Sequence, residues 1–383
     1  MRYLYIAVDL GLDSTGSIKP AGMAQFGRCT ARVLASIPAI QQLTIWSLSD
    51  DLPSAPHIHR MVSVHAHQQL QIEVKTYAND KRGMAMDLLQ AILFRRYDQV
   101  MYQMVNQALL ANIPLHPPYS IWEVGIEVFE PLSYLKRRAF TQAKQVLSIS
   151  RSTDEKARQS NPMLPVADVV HLCVEPPLYA LPEAEDAALV IPYVPAQRRP
   201  VVLILGNMNR AHLYKGHQEV ILGWQDVLQA VPDAELWIGG GRGDGKADLE
   251  ALVAQQPDAV ASKIVFLGHL TESQMDECFR QCRVFAMPSR GEGFGLVFVE
   301  AARYGLPSIG GKYDSVKEIV LDNETGLLIE QTPQAAACAC ITLLNDSALA
   351  KQLGDAARQR YRHYFQFEHF RERLVKVLDL QNR

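Results

Sequence analysis

Between a short apolar strand and the start of a helix, the chain runs Met287-Pro288-Ser289-Arg290-Gly291-Glu292-Gly293-Phe294-Gly295-Leu296-Val297-Phe298-Val299-Glu300-Ala301. Gly293 and Gly295 let the backbone pass close to a ligand. The amides around Phe294, Leu296 and Val297 then point outward at the positive end of the helix dipole, an anion site suited to a diphosphate. Glu292 stands in the loop and Glu300 in the second helical turn, so both carboxylates can reach one ligand with its phosphates between them. Carboxylates seldom serve a phosphate; they suit the hydroxyls of a sugar.

A second anion-binding piece follows another apolar strand, Val201–Leu205: Gly206-Asn207-Met208-Asn209-Arg210-Ala211-His212-Leu213-Tyr214-Lys215-Gly216-His217. Arg210 and Lys215 bracket this loop and can meet the same phosphates. Preorganised cations aimed at developing charge are worth about 3–4 kcal/mol per contact removed.

Outward from these pieces, β-rich runs alternate with helical patterns, the signature of βαβ units and parallel sheets. Strands are expected at Tyr3–Val8, Leu43–Leu48, Asp98–Gln103, Pro118–Val124 and Gln145–Ile149. After a proline-rich stretch, Leu181–Pro200, more follow at Val201–Leu205, Glu235–Gly239, Ile264–Leu267, Val284–Met287, Pro307–Ile309 and Gly326–Ile329. Helices are expected over Ala24–Leu34, Leu132–Gln142 and His217–Ala230. The predicted fold is α/β: two Rossmann-like doubly wound domains facing a cleft. Residues 1–185 form the N-terminal domain, 186–200 a linker, 201–355 a donor-binding domain, and 356–383 a helical tail packing back toward the N-domain. Ligands of such sheets bind outside the carboxyl ends of the strands.

At 383 residues the chain is long enough for two cores, and 48% hydrophobic with 21% charged residues is ordinary for a globular protein. A net charge of −3 gives no global attraction to nucleic acid, so no nucleic-acid partner is expected. No apolar run is long enough to span a bilayer, and the amino terminus reads as a buried strand, not a signal peptide. Six scattered cysteines without a CxxC pair fit a reduced, cytoplasmic protein.

Glu292 and Glu300, with seven residues between them around Gly293-Phe294-Gly295, resemble the E-x7-E signature of retaining GT-B glycosyltransferases, specifically the large family 4, glycosyl transferases group 1. Arg210 and Lys215-Gly216 look like that family's phosphate-binding Arg…Lys-Gly pair. Gly310-Gly311, Glu318-Ile319-Val320 and Thr325-Gly326-Leu327-Leu328 are similar to its closing block. In the first half, Gly22-Met23-Ala24-Gln25-Phe26 resembles the glycine loop before its first helix, Gly125-Ile126-Glu127-Val128-Phe129 its "HG-I-E-V-W" segment, and Ser148–Thr153 its strand-end motif. The resemblance is specific from Val201 to Ile329 and weaker before.

The resemblance implies a transferase moving a hexosyl group, with retention, from a UDP- or GDP-linked sugar to a hydroxyl of a glycan or lipid-linked acceptor in envelope or polysaccharide synthesis. Glu300 would hold the donor ribose and Glu292 the transferred sugar. The amides of Gly293–Val297, with Arg210 and Lys215, would hold the diphosphate. Backbone atoms around Gly268, His269 and Leu270 would read the base. No cofactor and no metal are implied. Where many members carry a histidine before the glycine, this chain has Val124; His116 and Glu127 are the candidates for that place, beside Gly22 and Met23 on the acceptor side. Two rivals stand: a nucleotide-sugar epimerase-like enzyme on the same fold, and a non-catalytic nucleotide-sugar-binding protein.

Other patterns have plainer readings. Gly239–Gly245 lacks dinucleotide spacing and reads as a turn at the cleft rim. His57, His59, His65 and His67 alternate as on a polar strand face. Lys136-Arg137-Arg138, with Arg95-Arg96, fits either a solvated helix face or peripheral contact with an anionic membrane. Tyr361, Tyr364, Phe365, Phe367 and Phe370 have the helical spacing of core contacts.

Overall fold

The computed structural model describes residues 1–12, 22–175, 198–241 and 243–380, with the side chains of residues 211–213 outside that description. The linker expected at 186–200 lies almost wholly outside it. The chain divides into two compact units, Met1–Leu181 with Phe365–Arg383, and Pro182–Tyr364.

The first unit carries a parallel sheet of β1 (Arg2–Ala7), β2 (Gln42–Ser47), β3 (Gln71–Thr76), β4 (Gln99–Tyr102), β5 (Tyr119–Glu123), β6 (Gln145–Ser148) and β7 (Asp168–Val169), in the order β3-β2-β1-β4-β5-β6-β7. The second carries β8 (Val201–Leu205), β9 (Glu235–Gly239), β10 (Ile264–Gly268), β11 (Val284–Met287), β12 (Ser308–Gly311) and β13 (Gly326–Ile329), in the order β10-β9-β8-β11-β12-β13. Both are doubly wound. The strand order reverses between β1 and β4 in one and between β8 and β11 in the other, and at such a point loops diverge to opposite faces and leave a crevice.

Continuous apolar runs make the central strands because both of their faces are covered: Val-Val-Leu-Ile-Leu in β8 is buried at every position. Around it Trp224, Val220, Ile221, Leu249 and Leu343 fill the core of the second unit. The expected helix His217–Ala230 is broken into His217–Leu222 and Trp224–Ala230. At Gly223 the Pro333 carbonyl comes so close that a Cβ would lie 2.5 Å from it.

Three further expectations need correction. His57 and His59 lie on a helix, Ala55–Ser63, that buries Ile58, Met61 and Val62; the alternation of histidines is not a strand's. His65 packs edge-on against Phe367, and His67 meets the Ile40 carbonyl at 2.7 Å. The helical tail begins earlier, at Ser347, and is two helices: Ser347–Tyr364 in the second unit and Phe367–Leu378 in the first. Tyr361, Phe365, Phe367 and Phe370 are buried there, whereas Tyr364 is only half-buried.

Candidate active site

The reversal of strand order between β8 and β11 sets the loop after Leu205 beside the turn after Met287. Two residues fasten them. Gly216 adopts φ +87°, in the left-handed region, and approaches Pro288 so closely that a Cβ would lie 2.7 Å from the Pro288 carbonyl oxygen. The Arg290 amide then donates to the Tyr214 carbonyl at 2.9 Å. This crossing brings two residues 77 positions apart together: Lys215 Nζ meets Glu292 Oε1 at 2.5 Å, both largely buried.

The turn itself is held from below. Ser315 Oγ donates to the carbonyls of Glu292 (2.8 Å) and Phe294 (3.0 Å). The Gly291 amide donates to the Asp314 carboxylate, so that nitrogen is not among those offered to a ligand. Gly295, at φ +95°, precedes the helix Leu296–Arg303 and brings no capping side chain. The Phe298 amide donates to the Gly295 carbonyl at 3.0 Å, while the amides of Leu296 and Val297, which an α-helix leaves without an i−4 partner, carry the positive end of its dipole. Phe294 and Leu296 are buried, so their side chains anchor the turn.

Glu300 sits in the second turn of that helix, half-buried. Desolvation pushes its carboxyl up to about 7; Arg303 opposes the shift and Glu272 adds to it. Such a group gains from a ligand hydroxyl or other donor that replaces lost solvent. Arg210 departs from expectation. Exposed, it forms a two-point ion pair with Asp248 (2.7 and 3.0 Å), while its amide donates to Asp244 at 2.8 Å. The expected convergence of Arg210 and Lys215 on one point is absent, because an acid 38 positions further along the chain captures the arginine. At the end of β10, Gly268 takes φ +70° and its carbonyl accepts from the Gly240 amide at 2.9 Å; His269 is exposed and Leu270 buried.

Orphaned polar atoms cluster beneath this crossing. Neither ring nitrogen of the buried His217 has a partner, nor does the Ser289 hydroxyl. Burial, helped by the nearby Lys215, lowers the His217 pKa to about 4, so it is a neutral imidazole under the lysine. Asp314, Ser315, Ser289 and His217 were all missed in the sequence. Only the position of Asp314-Ser315 just after Gly310-Gly311 hinted at them.

In the first unit, Gly22 opens the helix Gly22–Ala35, and the Met23 carbonyl accepts from Gln103 Nε2 at 3.1 Å. Gln103 also takes the Val8 amide at 2.6 Å, which ties both residues to the reversal between β1 and β4. The two candidates for the missing histidine part company. His116 precedes β5 at its amino end, held by Tyr102 Oη (2.7 Å) and the Pro117 carbonyl (2.6 Å). Glu127 lies at the carboxyl end, its Oε1 accepting from the amides of Val124 (2.7 Å) and Gly125 (3.2 Å).

Two doubly wound parallel units, one with a glycine turn that carries Glu292 against Lys215 and opens a helix, have the GT-B architecture. Residues 195–360 match the family described as glycosyl transferases group 1. It is 29% identical over 267 residues to a GDP-mannose-dependent alpha-(1-6)-phosphatidylinositol monomannoside mannosyltransferase of Mycolicibacterium smegmatis, covering 67% of each chain. A Corynebacterium glutamicum enzyme named as a GDP-mannose-dependent monoacylated alpha-(1-6)-phosphatidylinositol monomannoside mannosyltransferase is 30% identical over 178 residues, 44% of this chain and 45% of that one. Among solved structures, Anabaena Alr3699/HepE in complex with UDP and glucose superposes with TM-score 0.71 at 16% identity over 99% of both chains. Sucrose-phosphate synthase from Thermosynechococcus elongatus does so with TM-score 0.72 at 16% identity, over 99% of this chain and 98% of that one. At these identities the likeness is one of fold.

Proposed function

We propose that this enzyme moves a hexosyl group, with retention of configuration, from a nucleoside-diphosphate sugar to the hydroxyl of a glycan or lipid-linked acceptor of the cell envelope. The observation that carries the reading is the Lys215–Glu292 pair beside the uncapped helix start at Leu296. Without donor the two charges neutralise each other. With donor, the diphosphate takes Lys215 together with the first-turn amides, and Glu292 turns to the sugar's hydroxyls. Each buried charge is paired in both states, which a low-dielectric site requires. As the glycosyl–oxygen bond breaks, negative charge grows on the leaving diphosphate, where Lys215 and the helix dipole already point. Arg210 joins once it releases Asp248, and Glu300 accepts from the ribose. We assign this neutralisation to these groups and not to a metal ion. The GDP-mannose-dependent relatives favour a GDP-linked donor over a UDP-linked one. An acceptor carrying a lipid, as in those relatives' names, fits a chain that works at the inner face of a membrane.

A thermal-shift series against GDP-mannose, UDP-glucose and the free nucleotides tests the reading, since a ligand that binds only the folded state raises the midpoint by mass action. The expected result is a shift of several degrees with one nucleotide sugar, lost in Lys215→Ala. Transfer to an acceptor then separates a transferase from an epimerase or a binding protein. No shift with any nucleotide sugar overturns the proposal.

A further inference from the structure

We propose that His217 is a positioning residue for sugar transfer: once the donor draws Glu292 away, its imidazole accepts a hydrogen bond from the Lys215 ammonium and holds that cation at the diphosphate. This rests on the Lys215–Glu292 exchange proposed above and names what steers the lysine during it.

His217 follows Lys215 with one residue between them, Gly216, whose φ of +87° turns the chain back on itself. Both side chains then lie over the carboxyl end of β8. A Cβ on Gly206 would stand 3.0 Å from Lys215 Cδ, 3.3 Å from His217 Cε1 and 3.6 Å from His217 Nε2. The lysine stem and the Nε2 edge of the ring therefore meet over one bare Cα. Lys215 Nζ is two bonds beyond Cδ, so rotation of the last methylenes carries the ammonium from Glu292 toward Nε2.

The imidazole is fully buried, and a neutral imidazole has one donor and one acceptor to satisfy. Here neither ring nitrogen has a partner. Unmade hydrogen bonds in a core destabilise it, and an apolar side chain of similar size would avoid the loss. The resting fold gains nothing from this ring as it stands, which points to a use in another state. Ser289, beyond the end of the adjoining strand β11, has a buried hydroxyl that is also without a partner, so the layer under the crossing keeps spare hydrogen-bonding capacity.

An uncharged acceptor suits that use. Burial, then Lys215, lower the His217 pKa to about 4, so the ring stays neutral near pH 7. Glu292 cancels the charge of the lysine it holds at rest. The imidazole does not, and neither does the Tyr214 ring, whose centroid lies 5.5 Å from Nζ. A lysine held by such groups turns its whole charge on the phosphates, where negative charge grows as the glycosyl–oxygen bond breaks.

The test is steady-state transfer by the full chain carrying His217→Leu, His217→Gln, Lys215→Ala, or Lys215→Ala with His217→Leu, using the nucleotide sugar that shifts the wild-type melt. His217→Leu should melt no lower than wild type without donor, because two unsatisfied atoms leave the core. It should nonetheless lower kcat by about tenfold, with a smaller change in KM for the donor. His217→Gln, whose amide reaches the place of Nε2, should restore most of that loss. In the Lys215→Ala background His217→Leu should change kcat by less than about twofold, because a residue that acts through the lysine has nothing left to steer. Wild-type kcat in a folded His217→Leu chain overturns the role, and so do losses at the two positions that multiply. Should His217→Leu not fold, His217→Gln and His217→Asn decide, since only the longer amide reaches Nε2, and equal kcat in both overturns the role. A normal donor shift and a slow Lys215→Ala beside a fast His217→Leu overturn this inference alone. No donor shift in the wild-type chain overturns the functional reading and this inference with it.

Discussion

The two units share a topology and differ in what stands at the carboxyl ends of their strands. In the second, a lysine and a glutamate meet beside an open helix start, and glycines at 216, 291 and 295 with positive φ bring the main chain close. In the first, β5 ends in acids. Glu123 is buried with no partner for either carboxyl oxygen, and Glu127 and Asp154 lie nearby. Its buried cations, Arg28 and Arg32, are turned inward onto Glu175 at 2.6 and 3.1 Å. One fold therefore serves two electrostatic purposes. At the strand ends the second unit sets a lysine beside an open helix start, and the first sets a buried, unpartnered acid.

The comparison breaks most visibly at the cation. Lys215→Ala should lower kcat/KM by about 10²- to 10³-fold, the loss seen when one preorganised charge-stabilising contact is removed. The matching change in the first unit, Arg28→Ala, takes one of two buried partners from Glu175 and should lower the melting temperature with little effect on the rate of the folded fraction. Steady-state kinetics and melts on both variants decide this. A Lys215 variant with near-normal turnover would remove the asymmetry between the units.

That asymmetry was only partly legible in the sequence. The strands β8 and β11 and the turn Gly291–Leu296 show because continuous apolar runs and glycine pairs are local signals. Lys215 and Glu292 were each marked, but not as partners, since their contact is made by the crossing at Gly216. The helix Ala55–Ser63 was hidden by histidines at alternate positions, although Ile58, Met61 and Val62 have helical spacing. The edge strand β3, Gln-Ile-Glu-Val-Lys-Thr, is mostly exposed or half-buried and lacks the continuous apolar run that marks the central strands, although its alternation is itself a strand signal. Ser315 and Asp314 act through tertiary contacts that no spacing reveals, and so does Asp248, which holds Arg210 aside.

A second test sharpens the acidic side. Burial, then repulsion from Asp154, pushes Glu123 up to about 8, and the Ser148 hydroxyl, which would favour the ionised form, donates to the Ser150 carbonyl instead. A carboxyl raised in the folded state contributes stability below its unfolded pKa of 4.5 and loses it as pH rises toward 8. Glu123→Gln should therefore match the wild type near pH 4 and exceed it near pH 8, by on the order of 4 kcal/mol. Denaturant melts across that window measure it. Parallel curves for the two proteins would show that Glu123 finds a partner the fold does not display.

The smallest effect belongs to Arg210. Unlike Lys215 it is exposed and already paired, and surface pairs of this kind contribute little and weaken with salt. It must leave Asp248 before it can meet a phosphate, so its help comes at the cost of breaking that pair. Arg210→Ala should therefore reduce kcat/KM by roughly tenfold, less than the loss at Lys215. Asp248→Ala releases the arginine and should lower KM for the donor while kcat changes little, because the gain is in binding. Added salt should narrow the gap between Asp248→Ala and wild type by screening the competing pair. If Asp248→Ala instead behaves like Arg210→Ala, the pair is what positions Arg210 for the donor, and the second unit is preorganised at both of its cations.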